Sequence, residues 1–185
     1  MKKIALLLII TILAFAAGCK KDAKDKVEPI SEAEKAVKVK FALSPKSGSM
    51  VKGNVVFTQL NGQVEMTAIL EGLSPGDHAI HIHDTADCSS EDGKSSGGHW
   101  NPTGEPHGKW GNATGYHKGD IGNFTADDKG FSVVNKTTNE WCIGCGDETK
   151  DILGKAIIVH QGVDDFTSQP SGAAGSRVSC GGIIK

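Results

Sequence analysis

Aromatic side chains make up only 5% of the 185 residues, while glycine takes 24 positions. That balance disfavours long helices and favours short strands joined by turns. Basic charge is not in excess either, and a net charge of −2 excludes a general nucleic-acid footprint. Long hydrophobic runs are missing. The one extended apolar stretch, Ile4 to Ala17, is too short for a comfortable membrane span. Histidine is also scarce, with seven in the chain, yet four of them fall between His81 and Gly108. Neither a core nor solubility calls for imidazoles crowded into a glycine-rich segment. Metal binding does.

The first eighteen residues read as a secretory signal, with Lys2 and Lys3 ahead of the apolar run. The run ends in Ala16-Ala17-Gly18-Cys19, which resembles a bacterial lipobox with alanine where leucine is commoner three residues before the cysteine. Cleavage there would leave Cys19 as a lipidated N-terminus; a plain signal peptide with a chance cysteine is the alternative. Residues 19–36 are highly charged and nearly free of large apolar groups, so they bury little surface. They read as a flexible tether between lipid and domain, with a short helix around Ser31 to Val37 as the other option. The folded domain is expected over 37–185.

From Val37 the pattern alternates with period two, the signature of half-buried strands. Two strand-like runs flank Asn61-Gly62, a strong hairpin signal. "HAIHIH" is another strand, "GNFTADDKGFSVVN" predicts a hairpin turning at Asp128-Lys129-Gly130, and "GKAIIVHQ" and "SRVSCGGIIK" supply the last two. The expectation is all-β: about eight short strands in a Greek-key sandwich or barrel, with no long helix. Two connections, Asp84 to Gly119 and Gln161 to Gly175, are too long for turns. Loops of that length in a compact domain are usually functional.

His81 and His83 sit at i and i+2 on a strand, so both project from one face about 7 Å apart. Two imidazoles can therefore converge on one ion. His78 has the opposite parity and is expected to be a buried, hydrogen-bonded support. His99, His107, His117 and Asp120 follow along the loop; three imidazoles and a carboxylate suit tetrahedral Zn²⁺. His160 ends an apolar strand. With His81, His83 and His99 it would give four nitrogens, a set suited to Cu(II), and His99 would serve both metals through its two ring nitrogens.

These residues carry a family resemblance. From about Val37 to Lys185 the chain is similar to the copper–zinc superoxide dismutases, through "HAIHIHDTADC", "GGHWNPTGEPHG", "HKGDIGN", "GKAIIVHQGVDD" and "GAAGSRVSCG". The resemblance implies conversion of superoxide to oxygen and peroxide, with copper on His81, His83, His99 and His160 and zinc on His99, His107, His117 and Asp120. It further implies that Asp164 links a copper-ligand and a zinc-ligand histidine, that Arg177 stands beside the copper, and that Cys88 pairs with Cys180. His99 and Arg177 are the implied catalytic residues. A homodimer stays open, since members of the family pair through different faces. A lipid-anchored place in the bacterial cell envelope, outside the cytoplasm, follows from the leader.

Some features depart from that pattern. Trp100 stands where the family usually has a smaller aromatic, and Gln161 to Gly175 contains no lysine. Trp141-Cys142-Ile143-Gly144-Cys145 resembles the W-C-x-x-C of thioredoxin-like oxidoreductases, but no βαβ unit surrounds it. In an oxidising envelope, a structural Cys142–Cys145 bridge is the expectation, with a redox or copper-handling role as the alternative. Among rival functions, a blue-copper carrier usually needs a methionine, and none follows Met66. A zinc hydrolase needs an open zinc position, which four protein ligands leave no room for. A non-catalytic copper or zinc buffer on the same fold remains the serious alternative.

Overall fold

The computed structural model describes residues 35–185. The leader, Cys19 and residues 19–34 of the tether lie outside the described residues, and so does most of the alternative helix, whose last residue, Val37, opens a strand instead.

Eight strands form: β1 (Val37–Pro45), β2 (Lys52–Leu60), β3 (Gln63–Glu71), β4 (Gly76–His83), β5 (Gly122–Ala126), β6 (Ser132–Thr138), β7 (Ala156–His160) and β8 (Arg177–Gly182). The only helical turn among the described residues is a single 3-10 turn, Lys94–Ser96. β2 and β3 pair across Asn61-Gly62, with Leu60 opposite Gln63. Both turn residues have positive φ, 50° and 71°, the mirror-image turn that matches strand twist and that Asn-Gly tolerates.

The strand order is β5-β4-β7-β8-β1-β2-β3-β6, antiparallel throughout, which makes a nearly closed Greek-key barrel of two packed sheets. Alternation decides which side chains face in. Val55 and Phe57 of β2, Val64, Met66, Ala68 and Leu70 of β3, and Ile80 and Ile82 of β4 fill one buried cluster. Trp141 joins it edge-on to Phe57, with ring centroids 6.0 Å apart. Of the apolar side chains left outside, Ile69 and Val133 face each other across the β3–β6 ladder, each about half exposed.

Two expectations need correcting. The turn at Asp128-Lys129-Gly130 forms, and Asp127 organises it by accepting the Lys129 and Phe131 N–H groups. Its flanks are not a hairpin, however: β5 pairs with β4 and β6 with β3, in different sheets. The chain crosses the barrel here, and local turn chemistry cannot reveal which ladder a strand joins. Only at the turn do the two edges meet, where the Ser132 hydroxyl donates to the Thr125 carbonyl. The second correction concerns length. Besides the connections after β4 and β7, a third long one, residues 139–155, carries the chain from β6 to β7.

Candidate metal centre

The centre lies on the outer face of β4. Ile80 and Ile82 point into the barrel, so His81 and His83 point away from it, beneath the long loops. The first loop docks on β4 by backbone pairing. Trp100 N–H donates to the Ile82 carbonyl, Ile82 N–H to Gly119 and Gly119 N–H to Trp100, all at 2.9–3.0 Å. These bonds bring both arms of the loop to the strand, and His99 forms a bridge with His83. A Cβ at position 119 would overlap the Ile82 carbonyl, so the close approach requires glycine. The indole of Trp100 is buried in the core, which explains how the larger aromatic is accommodated.

The structure brings together both predicted sets. The candidate donor atoms of His81, His83, His99 and His160 lie within 4.8 Å of one another, and so do those of His99, His107, His117 and Asp120. The His81 and His99 rings are 4.0 Å apart, and His99 stands 5.3 Å from His107. All seven residues are buried.

Hydrogen bonding fixes which ring nitrogen faces each set. His81 Nε2–H donates to Asp164 Oδ2 at 2.9 Å, His83 Nδ1–H to the Gly97 carbonyl at 3.0 Å, and His107 Nε2–H to Asp164 Oδ1 at 2.8 Å. His160 Nδ1 faces the Gly175 carbonyl at 3.4 Å. His99 Nδ1 faces Asp120 Oδ1 at 2.8 Å, and six further nitrogens, His81 Nδ1, His83 Nε2, His99 Nε2, His107 Nδ1, His117 Nδ1 and His160 Nε2, are buried without a hydrogen-bond partner. An orphaned buried polar atom is costly, and six converging on two points call for a cation at each. His107 Nδ1 and His117 Nδ1 lie 3.0 and 3.2 Å from Asp120 without hydrogen-bond geometry, as fellow ligands of one ion would.

Electrostatics agree with that arrangement. Burial holds His83 and His160 well below their ordinary pKa and lowers His99 to about 4, so these rings are neutral with lone pairs free. Burial also opposes a charge on His107, but the carboxylates of Asp120 and Asp164 on either side outweigh it and raise the group to about 9, so this ring holds a proton that a metal must displace. Burial acts against ionisation of Asp164 and Asp120 too; the surrounding histidines prevail and hold both carboxyls well below the usual range.

Asp164 therefore joins the two sets, one oxygen to His81 and the other to His107. Its backbone N–H is fixed by Asn123, and Gly172, at φ +66°, sits so close that a Cβ would overlap both Asp164 and His107. Sequence reading missed Gly172; its only signal is one glycine in a glycine-rich loop. Partners of this kind set ring orientation, and losing them usually costs metal affinity 10–100-fold. The Asp164→Asn protein is accordingly expected to bind both metals roughly 10–100-fold more weakly in competition with a chromophoric chelator. Unchanged affinity for both would remove Asp164 from the centre.

A cleft of about 530 Å³ opens onto His83, His99 and His160 and is flanked by Arg177. Arg177, the chain's only arginine, starts β8 and pairs with His160 next to an irregularity in the β7–β8 ladder, the kind of kink that re-aims side chains. Its Nη1 donates to the Gly93 carbonyl at 2.9 Å and to Ser96 Oγ at 3.2 Å, which pins the guanidinium at the cleft. Lys94 also lines the cleft, though paired with Asp92, and so puts a lysine there from the first long loop rather than the second. The Cys88–Cys180 disulfide ties that first loop to β8, with the two Cα atoms 5.8 Å apart. His78 points elsewhere: buried, it faces the His160 and Ser74 carbonyls at 3.1 and 2.9 Å.

Comparison with known proteins points one way. The family model described as copper/zinc superoxide dismutase matches residues 51–183. The chain is 32% identical over 187 residues to superoxide dismutase [Cu-Zn] 2 of Aquifex aeolicus, covering 99% of each chain. It is 34% identical over 136 residues to superoxide dismutase [Cu-Zn] of Caulobacter vibrioides, covering 72% of this chain and 78% of that one. Among solved structures, a double mutant of a SOD-like protein from Bacillus subtilis superposes with a TM-score of 0.71 at 29% identity, over 79% of this chain and 97% of the other.

Proposed function

The chain belongs to the copper/zinc superoxide dismutase family, and from that premise we propose that it converts superoxide to oxygen and hydrogen peroxide at the centre described above. We assign copper to His81 Nδ1, His83 Nε2, His99 Nε2 and His160 Nε2, and zinc to His99, His107 and His117 through Nδ1 together with Asp120. The observation that carries this reading is the set of six buried ring nitrogens with no hydrogen-bond partner, divided between two sites that share His99. Bound copper supplies one-electron oxidation and reduction in alternation, which the reaction needs because one superoxide gives up an electron and the next receives it.

The chain's own residues do the rest. Arg177 attracts and orients the small anion at the cleft mouth, where its positive charge is held by Gly93 and Ser96. His99 would relay one of the two protons that the peroxide product takes up. Asp164 keeps the His81 and His107 rings in the required orientation. The domain carries no net positive charge to steer superoxide from afar, so attraction is local and falls as salt screens it.

Superoxide dismutases are among the enzymes known to reach the diffusional ceiling of about 10⁸–10⁹ M⁻¹ s⁻¹. The decay rate of superoxide with residues 20–185 loaded with copper and zinc is expected to approach it and to fall with salt. Arg177→Ala should lose about tenfold or more and much of the salt dependence. A rate no better than that of free aqueous copper, with both metals still bound, would leave the metal-buffer reading in its place.

We further propose that the chain is anchored through lipid at Cys19 and acts in the cell envelope outside the cytoplasm. The signal-like run before Cys19 supports this reading, and two disulfides in the folded domain fit an oxidising compartment.

A further inference from the structure

The Cys142–Cys145 disulfide has no part in the histidine centre, and the fold around it shows that the bond is not what holds its loop. Residues 139–155 are anchored by Trp141, Ile143 and Ile152, all buried in the core. Cys142 N–H donates to the Lys150 carbonyl, and Ile152 N–H to the Cys142 carbonyl. Ile143 N–H is taken by Gln59 Oε1 at 2.6 Å. Asp151 folds the tip, accepting Gly144, Gly146 and Leu153 N–H groups at 2.9–3.1 Å. With every turn of the loop secured by hydrogen bonds, breaking the S–S bond leaves two thiols still facing each other.

The two disulfides of the domain differ in kind. Cys88–Cys180 closes a separation of 92 residues, and Cys180 is buried. Cys142–Cys145 closes a separation of 3, and Cys145 is exposed to solvent. A short loop restrains the unfolded chain little, so this bond adds little stability. Exposed disulfides are the labile ones.

We propose that Cys142 and Cys145 form a reversible thiol–disulfide couple whose reduced form binds one monovalent copper ion between the two sulfurs. The reductant is a dithiol. One of its thiolates attacks the accessible Cys145 Sγ, and Cys142 Sγ leaves with the electron pair and takes a proton. The reductant's second thiolate then attacks its own sulfur in the mixed disulfide and releases Cys145, whose sulfur already accepts the Asp147 N–H at 3.4 Å. One disulfide is lost here and one forms in the reductant, with two electrons and two protons transferred. Copper(I) replaces the two thiol protons.

Copper(I) suits the donors better than zinc does. Soft thiolates select it, and two of them satisfy it. A closed zinc site wants four ligands. Asp151 is the third group within 4.8 Å, but three backbone N–H groups already occupy its oxygens.

The test uses the full chain, in detergent, beside C142S/C145S. Both are equilibrated in dithiothreitol redox buffers, alkylated and mapped by mass spectrometry. The Cys142–Cys145 bond should open while Cys88–Cys180 stays closed. After anaerobic removal of reductant, titration with copper(I)–bicinchoninate should show one more tightly held copper in the wild type than in the double variant. Reduced wild-type protein capped with iodoacetamide provides a second control that does not depend on the variant folding. Opening of both disulfides together, or equal copper in all three samples, overturns the proposal. Neither readout involves superoxide, so failure here is distinct from failure of the dismutase reading.

Discussion

The His99→Ala protein is expected to consume superoxide at least about 100-fold more slowly than wild type, since a positioned proton donor alone is worth 10²–10⁴. The effect should exceed that of any other single substitution, because His99 is the one residue common to both sets. Its ring stands 4.0 Å from His81, 5.0 Å from His83 and 5.7 Å from His117. Truncation removes a copper nitrogen, a zinc nitrogen and the proton carrier together. Stopped-flow superoxide decay, alongside metal content, separates these losses. The informative control is His78→Ala, a buried histidine that faces backbone carbonyls rather than either ligand set; it should retain both metals. If His99→Ala kept near-normal decay with both metals present, the shared-ligand arrangement would be wrong.

Stripping both metals with a chelator should lower the melting temperature by at least about 8–16 °C, the range for the loss of a single site. Metal at a thousandfold excess over its dissociation constant adds about 4 kcal/mol to the folded state, and about 2–4 °C per kcal/mol is usual for a domain of this size. The metal-free protein should also weaken as pH falls below 6.5. Burial keeps His83, His160, His81 and His99 from taking protons that the unfolded chain accepts below that value, so acid favours unfolding. His107 does not oppose this trend. Its folded pKa is raised to about 9, so its contribution is complete below 6.5 and is lost progressively as pH rises from 6.5 to 9. Thermal melts at pH 5, 6.5 and 8, with and without chelator, check both statements. A melting temperature indifferent to chelator would mean that the orphaned nitrogens hold no metal.

Much of the centre was legible because its ligands obey simple geometry. Parity on β4 separates His81 and His83 from His78, and the structure keeps that separation. The spacing along the first loop placed His99, His107, His117 and Asp120 in one set without any knowledge of how the loop docks. What sequence could not supply were contacts made by backbone. The pinning of Arg177 by the Gly93 carbonyl, the pressure of Gly172 on Asp164 and the docking of Trp100 on Ile82 involve groups that every residue carries, so no motif advertises them. Partner choice among strands was hidden for a related reason: β5 and β6 share a good turn, but their ladders are decided by strands more than thirty residues earlier in the chain.

The division of labour along β4 makes the centre a check on strand alignment. Ile80 and Ile82 belong to the interior, and His81 and His83 to the outer face. A slip of one residue would turn the isoleucines outward and drive imidazoles into the core. Such a misaligned chain could collapse, but it could not assemble the copper set, which takes two of its four nitrogens from β4. Copper uptake at that set therefore proofreads folding: the ion meets all four nitrogens only in a molecule whose β4 has found its proper neighbours, and capture then makes that alignment harder to lose.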